Sequence, residues 1–409
     1  MKKYAFLTIS AGMLLLLIPG IKGSAQTDTT TVPPDKAKPG GEKFMLAGEF
    51  FTSWQNTKTF PYYSTAQGHT PSSIANNFGA NGDYPTGLML MPLVKLTDRL
   101  FLDVQVGVSA PIGPGSSAGV SFNEGIIYYH VGNALNIFTG YFQPRSGLYE
   151  GILDDFTNRY GSVPVGMGAA ATATQAGVGI QGGIQLGVSK LVYQLYASNG
   201  PTLIVDSTGA ANGQVGYDNF ISPNMNKAVG GEIGFLPFPN SSLEVGVSGQ
   251  YMPGAGALGT AQQNISVSNI AAYINYYHVF DPLMIRVQGQ YEMDQIQKYN
   301  LYTNSADTSI LPGSGFNNTT NGWFLGMTFR LSGASSNFLS NLELGIRESQ
   351  LTLPQDANCL WGQKPLNQTS IALTYWFTWK APLSIGYDIY NQQGTPRMTA
   401  VTIRGMWFF

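Results

Sequence analysis

Apolar and polar residues alternate along most of this chain, in runs of about nine to eleven residues that turn-forming residues separate. A period of two is typical of β-strands that have one face in an apolar environment and the other in water. Sixteen strands are predicted, at 43–55, 86–96, 100–110, 119–131, 135–143, 177–188, 191–198, 229–238, 243–252, 267–279, 283–293, 323–331, 341–351, 370–379, 383–390 and 398–409. The pattern therefore indicates an all-β chain built from successive hairpins.

The connections between these strands alternate between short turns and long loops. The turn 97–99 is short, the loops 56–85 and 294–322 are long, and 332–340 is the longest connection on the short side. Short turns at one end and long loops at the other are typical of transmembrane barrels, and sixteen strands leave room for an aqueous channel. We therefore predict a transmembrane antiparallel β-barrel over 43–409, with short periplasmic turns and long extracellular loops.

The amino-acid composition favours a membrane protein. Charged residues make up 11% of the chain, against about 25% in typical soluble proteins, while aromatic residues reach 12% and Gly occurs 50 times. After residue 42, no apolar run is long enough for a membrane-spanning helix. Any later crossing must then be made by strands whose backbone groups are satisfied in a closed sheet.

The start of the chain has the pattern of a secretory signal peptide. Lys2 and Lys3 precede an apolar run over 5–18, and small residues follow at 23–25. We expect cleavage after residue 25, and the Pro- and Gly-rich segment 26–42 is predicted to be a flexible periplasmic lead-in. The alternative, a single membrane anchor, is disfavoured because the apolar run is shorter than the roughly 20 residues that a spanning helix needs.

The last strand has one apolar face and one polar face. Val401, Ile403, Gly405, Trp407 and Phe409 share the first face, whereas the second face has Thr402 and Arg404. This ending resembles the C-terminal strand of bacterial outer-membrane barrels, and the chain from residue 26 onward resembles a Gram-negative porin. The segment 141–151 resembles that of phosphate-selective porins, although the lysine-rich loops of that group are missing. The resemblance implies an outer-membrane address, contact with outer-membrane lipids, a homotrimer, and recognition of Phe409 by the barrel assembly machinery.

The third long loop, 144–176, stands where porins fold a loop into the barrel to narrow it. It contains Glu150, Asp154 and Asp155, and small uncharged residues from Gly166 onward that would fit flat against an inner wall. The resemblance therefore implies a constriction built by this loop. An ordinary surface loop outside the membrane is the alternative.

Strand alternation predicts which charged side chains face the lumen, because a charge that faces lipid at mid-depth costs about 2–4 kcal/mol. The predicted pore-lining residues are Asp103, Arg286, Arg330, Arg347 and Arg404. If Asp154 and Asp155 enter the lumen, acidic loop and basic wall would set up a transverse field. Alternatively, each arginine pairs locally with Glu292, Glu343 or another wall carboxylate. Since both signs are present, strong ion selectivity is not predicted.

No pattern in the sequence indicates an enzyme, a cofactor, a metal site or nucleic-acid binding. The three histidines, His69, His130 and His278, are far apart and have no metal-binding spacing, and the single Cys359 allows no intramolecular disulfide. We predict a porin for passive diffusion of small hydrophilic solutes. The alternatives are a substrate-specific porin for sugars or oxyanions, which includes an inward aromatic track of Tyr196, Tyr273, Tyr277 and Trp376, and a structural or adhesive surface barrel.

Overall fold

The structure is a computed structural model of the 409-residue chain. It describes residues 43–58, 75–78, 86–109, 118–132, 134–148, 159–166, 174–204, 212–217, 220–222, 224, 226–301, 312–360, 362, 364–395 and 397–409. The predicted signal peptide (1–25) and lead-in (26–42) lie outside these residues, as do Glu150, Asp154 and Asp155 of the third loop.

Nineteen strands and one short helix make up the regular structure of the described residues. They are β1 (Phe44–Lys58), β2 (Ala75–Phe78), β3 (Gly87–Lys95), β4 (Leu100–Ser109), β5 (Gly119–Gly132), β6 (Leu135–Phe142), β7 (Gln175–Leu186), β8 (Ser189–Ser198), β9 (Thr202–Leu203), β10 (Val215–Gly216), β11 (Ala228–Leu236), β12 (Leu243–Met252), β13 (Val267–Phe280), β14 (Leu283–Ile296), β15 (Asn318–Arg330), α1 (Asn337–Ser340), β16 (Leu342–Thr352), β17 (Leu366–Thr378), β18 (Ala381–Gln392) and β19 (Met398–Phe408). Strands β2, β9 and β10 are short, and the other sixteen form the barrel.

The barrel closes because its first and last strands pair. β1 runs antiparallel to β19, with Phe50 opposite Trp407 and Trp54 opposite Ile403, and β1 also pairs with β3. β8 pairs directly with β11, so the short β9–β10 ribbon stands outside the wall. All these pairings are antiparallel, and the prediction of a sixteen-stranded antiparallel barrel is confirmed.

The predicted strand bounds differ from the structure mainly at the long-loop end. β15 begins at Asn318 instead of 323, and β17 begins at Leu366 instead of 370. The additional residues are polar on both faces, for example Thr319, Asn321 and Asn367 on the outside. Apolar-polar alternation does not reveal such a strand end in the sequence, because both faces of the strand are in a polar environment there.

Burial alternates along the strands and separates an outer face from an inner face. On β16 the outward Leu344 and Ile346 are exposed, whereas Glu343 and Arg347 are buried. On β19 the outward Ile403 and Trp407 are exposed, and Arg404 is fully buried. An exposed apolar band outside and a polar interior are the arrangement of a transmembrane barrel.

The connection between β15 and β16 is long because it contains the helix α1. Ser336 caps this helix by accepting from Leu339 N. Arg330 then donates from Nε to Ser340 O at 2.7 Å and from a terminal nitrogen to Asn341 Oδ1 at 3.0 Å. Within the ranges that the structure describes, no helix has the length and apolar character to cross a membrane.

The long loops pack on one another above the strand ends. One apolar cluster joins Leu203, Ala228, Met252, Ala255, Val267 and Ile296, and a second joins Leu301, Phe316 and Cys359. Asn318 Nδ2 also donates to Gly213 O. These contacts form a cap over the wall from β11 to β16, and they place Cys359 in a buried position instead of in an exposed loop.

Candidate pore-lining site

The first described part of the third loop, residues 144–148, crosses from β6 onto the inner face of other strands. Arg145 N donates to Gln194 Oε1 on β8, Gly147 N to Ser248 Oγ on β12, and Leu148 N to Gln290 Oε1 on β14 at 2.5 Å. These acceptors belong to inward-facing side chains. The backbone of the loop therefore runs inside the barrel, where polar wall residues satisfy its N–H groups.

The second described part, residues 159–166, lies against the wall from β15 to β19. Ser162 Oγ donates to Asp388 Oδ1 at 2.7 Å, and Val165 N donates to Gln368 Oε1 at 2.9 Å. Gly161 is so close to the wall that a Cβ on it would lie 2.9 Å from Thr402 Cβ and 3.1 Å from Gly386 Cα. Together, the two parts put loop 144–176 inside the barrel at both of its described flanks.

Tyr160 occupies a notch in the wall that two glycines create. Its hydroxyl donates to the carbonyl oxygens of Met327 at 3.2 Å and Ile346 at 3.0 Å. A Cβ on Gly326 would lie 2.7 Å from this hydroxyl, and one on Gly345 would lie 3.0 Å from the ring. The phenol therefore fits only because the inner faces of β15 and β16 lack side chains at these positions.

The predicted arginines all face inward, but they differ in what they contact. Arg347 donates to Ser162 O at 2.9 Å and to Ser370 Oγ at 3.1 Å, and its guanidinium lies 4.4 Å from the centre of the Tyr160 ring. Arg347 thus holds the third loop to the wall instead of standing free in the bore. Arg330 lies at the short-turn end, where it binds the backbone after α1.

Arg286, Arg404 and Asp103 complete the predicted set. Arg286 on β14 is 4% exposed and Arg404 on β19 is fully buried, whereas Asp103 on β4 keeps part of its surface accessible. The structure therefore gathers the arginines on the wall from β14 to β19. Asp103 lies across the closed barrel from Arg286, but only three strands from Arg404, through β1 and β3.

A further arginine, Arg159, comes from the loop itself. Its Nε lies 3.3 Å from Glu343 Oε1, and its guanidinium lies 4.5 Å from the centre of the Trp376 ring. This ion pair joins the wall carboxylate Glu343 to a loop arginine and not to one of the predicted wall arginines. The acidic residues of the opposing alternative, Asp154 and Asp155, lie outside the described residues.

Sequence reasoning missed the loop contacts of Tyr160, Gly161 and Ser162. No motif marks them, and Ser162 is 226 positions from its partner Asp388. One signal was present in the chain: the inward positions of three strands carry glycine at 326, 345 and 386. Inner glycines on neighbouring strands leave a shallow groove that a loop backbone can enter.

The other side of the lumen carries a buried aromatic cluster between polar side chains. An aromatic cluster on the inner faces of β4, β5, β6 and β8 comprises Phe101, Ile126, Tyr128, Phe138, Phe142 and Tyr196. Phe138 and Phe142 meet edge to face with ring centres 4.8 Å apart, and Phe142 meets Tyr196 at 5.7 Å. The rings therefore pack against one another on the inner faces of these four strands.

The proposed aromatic track does not form one continuous surface. Tyr196 is sealed in the cluster on β8, and Trp376 on β17 lies under Arg159. Tyr273 on β13 donates to Glu232 Oε1 at 2.5 Å and to Glu244 Oε1 at 3.0 Å. These rings are engaged in separate contacts on separate strands.

A carboxylate at the long-loop end of the lumen is covered by the loop that contains β10. Tyr217, directly after β10, donates to Asp294 Oδ2 at 3.2 Å. Burial of its ring, and secondly the neighbouring Asp294 charge, raise the pKa of Tyr217 well above its usual range. The phenol therefore stays protonated and keeps this contact. Among the described residues, no group of His, Cys, Asp and Glu is placed to hold a metal ion.

Several solved outer-membrane channels have a similar structure. An anion-selective porin from Comamonas acidovorans is 12% identical with a TM-score of 0.54, over 90% of this chain and 99% of that one. Salmonella typhi OmpF, in a complex with daunomycin, is 13% identical with a TM-score of 0.55, over 90% and 98% of the two chains. Pseudomonas putida OprB is 9% identical with a TM-score of 0.55, over 90% and 94%.

The chain has the fold of the Gram-negative outer-membrane porins. Its closed barrel and exposed apolar band place it in the outer membrane, as predicted. No protein-family model matches the chain, and no curated protein matches its sequence. The porin fold is therefore shared without detectable sequence similarity, and the solute must be inferred from the lumen itself.

Proposed function

We propose that the protein is a porin through which small hydrophilic solutes diffuse passively, with loop 144–176 as the constriction. The observation that carries this proposal is the path of the loop: its flanks bind inward-facing side chains from β8 to β18. Barrels of sixteen strands enclose an aqueous channel, and a loop held inside one narrows it. Passive diffusion involves no covalent chemistry.

The first test is single-channel recording of the folded protein in a planar bilayer under a KCl gradient. Stable open steps are expected, with a small reversal potential because both signs of charge line the described wall. Arg330→Gln should shift the reversal potential toward cation preference, since Arg330 is a partly accessible inward arginine at the short-turn mouth. Arg397→Gln, an exposed position in the loop before β19, is the control.

A folded barrel that stays silent would reject the porin function and favour a structural or adhesive surface protein. Folding is checked separately by the different gel mobility of folded and heated barrels in detergent. If the pore conducts but its reversal potential is unchanged in Arg330→Gln, the protein is still a channel, and Arg330 is not part of the pore lining.

We also propose that the barrel forms a homotrimer and that Phe409 serves as the assembly signal. Phe409 is 46% exposed on the outer face, while its backbone bonds to Gly48 N and Gly48 O at the barrel seam. An exposed terminal ring beside the closing strand pair is accessible to an assembly factor before closure. Chemical cross-linking of the protein in outer-membrane vesicles should give a trimer, and Phe409→Ala should reduce the amount of assembled barrel.

A further inference from the structure

Over residues 45–51 of β1 and 87–93 of β3, the inward side chains are apolar except for Glu49, unlike those of the described wall across the barrel. The two strands pair with Met45 opposite Leu93, Ala47 opposite Met91 and Phe51 opposite Gly87. Outward positions of the same strands are also apolar, with Phe44, Leu46, Leu88 and Leu90 among them. In a water-filled barrel the inward alternates are normally polar. We call the inward residues Met45, Ala47, Phe51, Met89, Met91 and Leu93 the methionine strip.

Register and contacts fix the inward direction of the strip. Leu93 packs against the buried aromatic cluster on β4 to β8, and Asn123 Nδ2 lies 3.2 Å from Met89 Sδ. On the other edge, Phe51 stands opposite the buried Met406 of β19. The six residues of the strip therefore face the lumen, beside the buried aromatic cluster.

The strip stays partly accessible, whereas the wall at β16, four strands from β1, is sealed. Met45, Met89 and Met91 each keep an intermediate exposed fraction. By contrast, Arg347 and Ser349 on β16 are 2% and 0% exposed under the described part of the third loop. The loop thus covers the polar wall, and accessible apolar surface is left along β1 and β3.

We propose that the methionine strip is a binding track for solutes that carry an aromatic ring. This inference rests on the proposed porin function and assigns its solute class. Methionine side chains are flexible and polarizable, and their sulfur atoms make favourable contacts with aromatic rings. Phe51 adds an aromatic partner. A sugar would find few hydrogen-bonding groups on this surface, whereas a ring loses unfavourable contact with water there.

Charged groups of both signs stand beside the strip. Asp103 stands opposite Leu93 on β4, and Glu49 stands opposite Met89 on β1. Lys95, the inward cation at the turn end of β3, pairs with Asp98 at 2.8 Å. On the other edge, Arg404 of β19 stands opposite Ser53, the next inward residue of β1 after Phe51, so these groups do not set the sign of a solute's charge.

The test compares two permanent cations, trimethylphenylammonium and tetramethylammonium, as blockers of the potassium current through single channels. They share the same charge and differ by the ring. The aromatic cation should block at a concentration about five- to tenfold lower, which corresponds to one ring face removed from water. In the Met45→Gln/Met91→Gln double variant, the two cations should block at similar concentrations. Asn275→Gln, an inward position on β13, should retain the difference.

Each outcome separates the two proposals. A folded but silent wild type rejects the porin function itself. If the wild-type channel is open but both cations block it equally, the porin function is retained and the proposed binding track is rejected. An unchanged preference in the double variant also overturns it, because the ring must then bind elsewhere. If the double variant does not fold, Met45→Gln alone, at the turn end of the strip, should lower the preference about twofold to threefold.

Discussion

Replacing Gly386 by alanine tests how the third loop is held against the wall. A Cβ at this position would lie 2.8 Å from both Cα and N of Gly161. Carbon atoms in favourable contact are about 3.5–4.0 Å apart, and both obstructing atoms belong to the backbone, so the loop must move by about 1 Å. Since the new Cβ stands on the wall, it pushes the loop away from the wall, toward the axis of the bore.

A shift of this size breaks the polar contacts next to Gly161. The bonds from Ser162 Oγ to Asp388 and from Arg347 to Ser162 O measure 2.7 Å and 2.9 Å, and both would exceed bonding distance. Hydrogen bonds to charged groups contribute about 1.5–3 kcal/mol each. Their loss lowers the preference for the wall-bound loop by about 3 kcal/mol or more, which is a factor of about 100 in the equilibrium constant.

Single-channel recording measures the consequence. We expect Gly386→Ala to lower the mean open conductance and to add brief closures, because the released loop enters the bore. Gly405→Ala is the control: it lies on the outer face of β19, and a Cβ there would meet its nearest atoms at 3.9 Å. An unchanged, quiet conductance in Gly386→Ala would refute the loop contact, and an increased conductance would show that the loop stands in the path and not against the wall.

Three further predictions concern stability and reactivity. Ile346→Lys should lower the free energy of unfolding by about 2–4 kcal/mol, measured by urea titration in lipid vesicles, since it puts a charge on the lipid face. Glu348→Lys, two residues nearer the long-loop end of the same face, is the control and should lower it by about 1 kcal/mol or less. Cys359 should react with a maleimide reagent only after denaturation, because it is 6% exposed in the cluster with Leu301 and Phe316; rapid labelling of the folded barrel would contradict the described loop packing. Tyr217→Phe should lower stability by about 1.5–3 kcal/mol, measured as an earlier urea midpoint, by removing the bond to the Asp294 carboxylate. An unchanged midpoint would show that the bond contributes nothing.

The fold was predictable because its signals are local. Period two fixes the strands, and the alternating turn and loop lengths fix antiparallel neighbours, so all sixteen barrel strands are present in the structure. Alternation also gives the inward direction of Arg286, Arg347 and Arg404. Strand ends were not predictable where both faces are polar, as at the start of β15.

The loop contacts could not be derived from the sequence, because they join residues far apart in the chain. Arg347 meets Ser162 across 185 positions, and neither residue type is unusual. Alternation gives the face of a side chain but not its depth along the barrel, and depth decides which loop residue it meets. The inner glycines at 326, 345 and 386 were the one available hint, since they mark where the wall recedes.

The failure of alternation on β3 carries more functional information than its success elsewhere. Leu88, Met89, Leu90 and Met91 are successive apolar residues, so the sequence identifies a strand there but not its wet face. Pairing with β1 settles the question by placing Met89 and Met91 toward the lumen. If only water contacted these inward positions, polar residues would be favoured there, because apolar surface facing water is unfavourable. Inward apolar residues that stay partly accessible, as Met89 and Met91 do, are the reason for the proposed track, and the blocker comparison with the Met45→Gln/Met91→Gln variant decides whether an aromatic solute binds there.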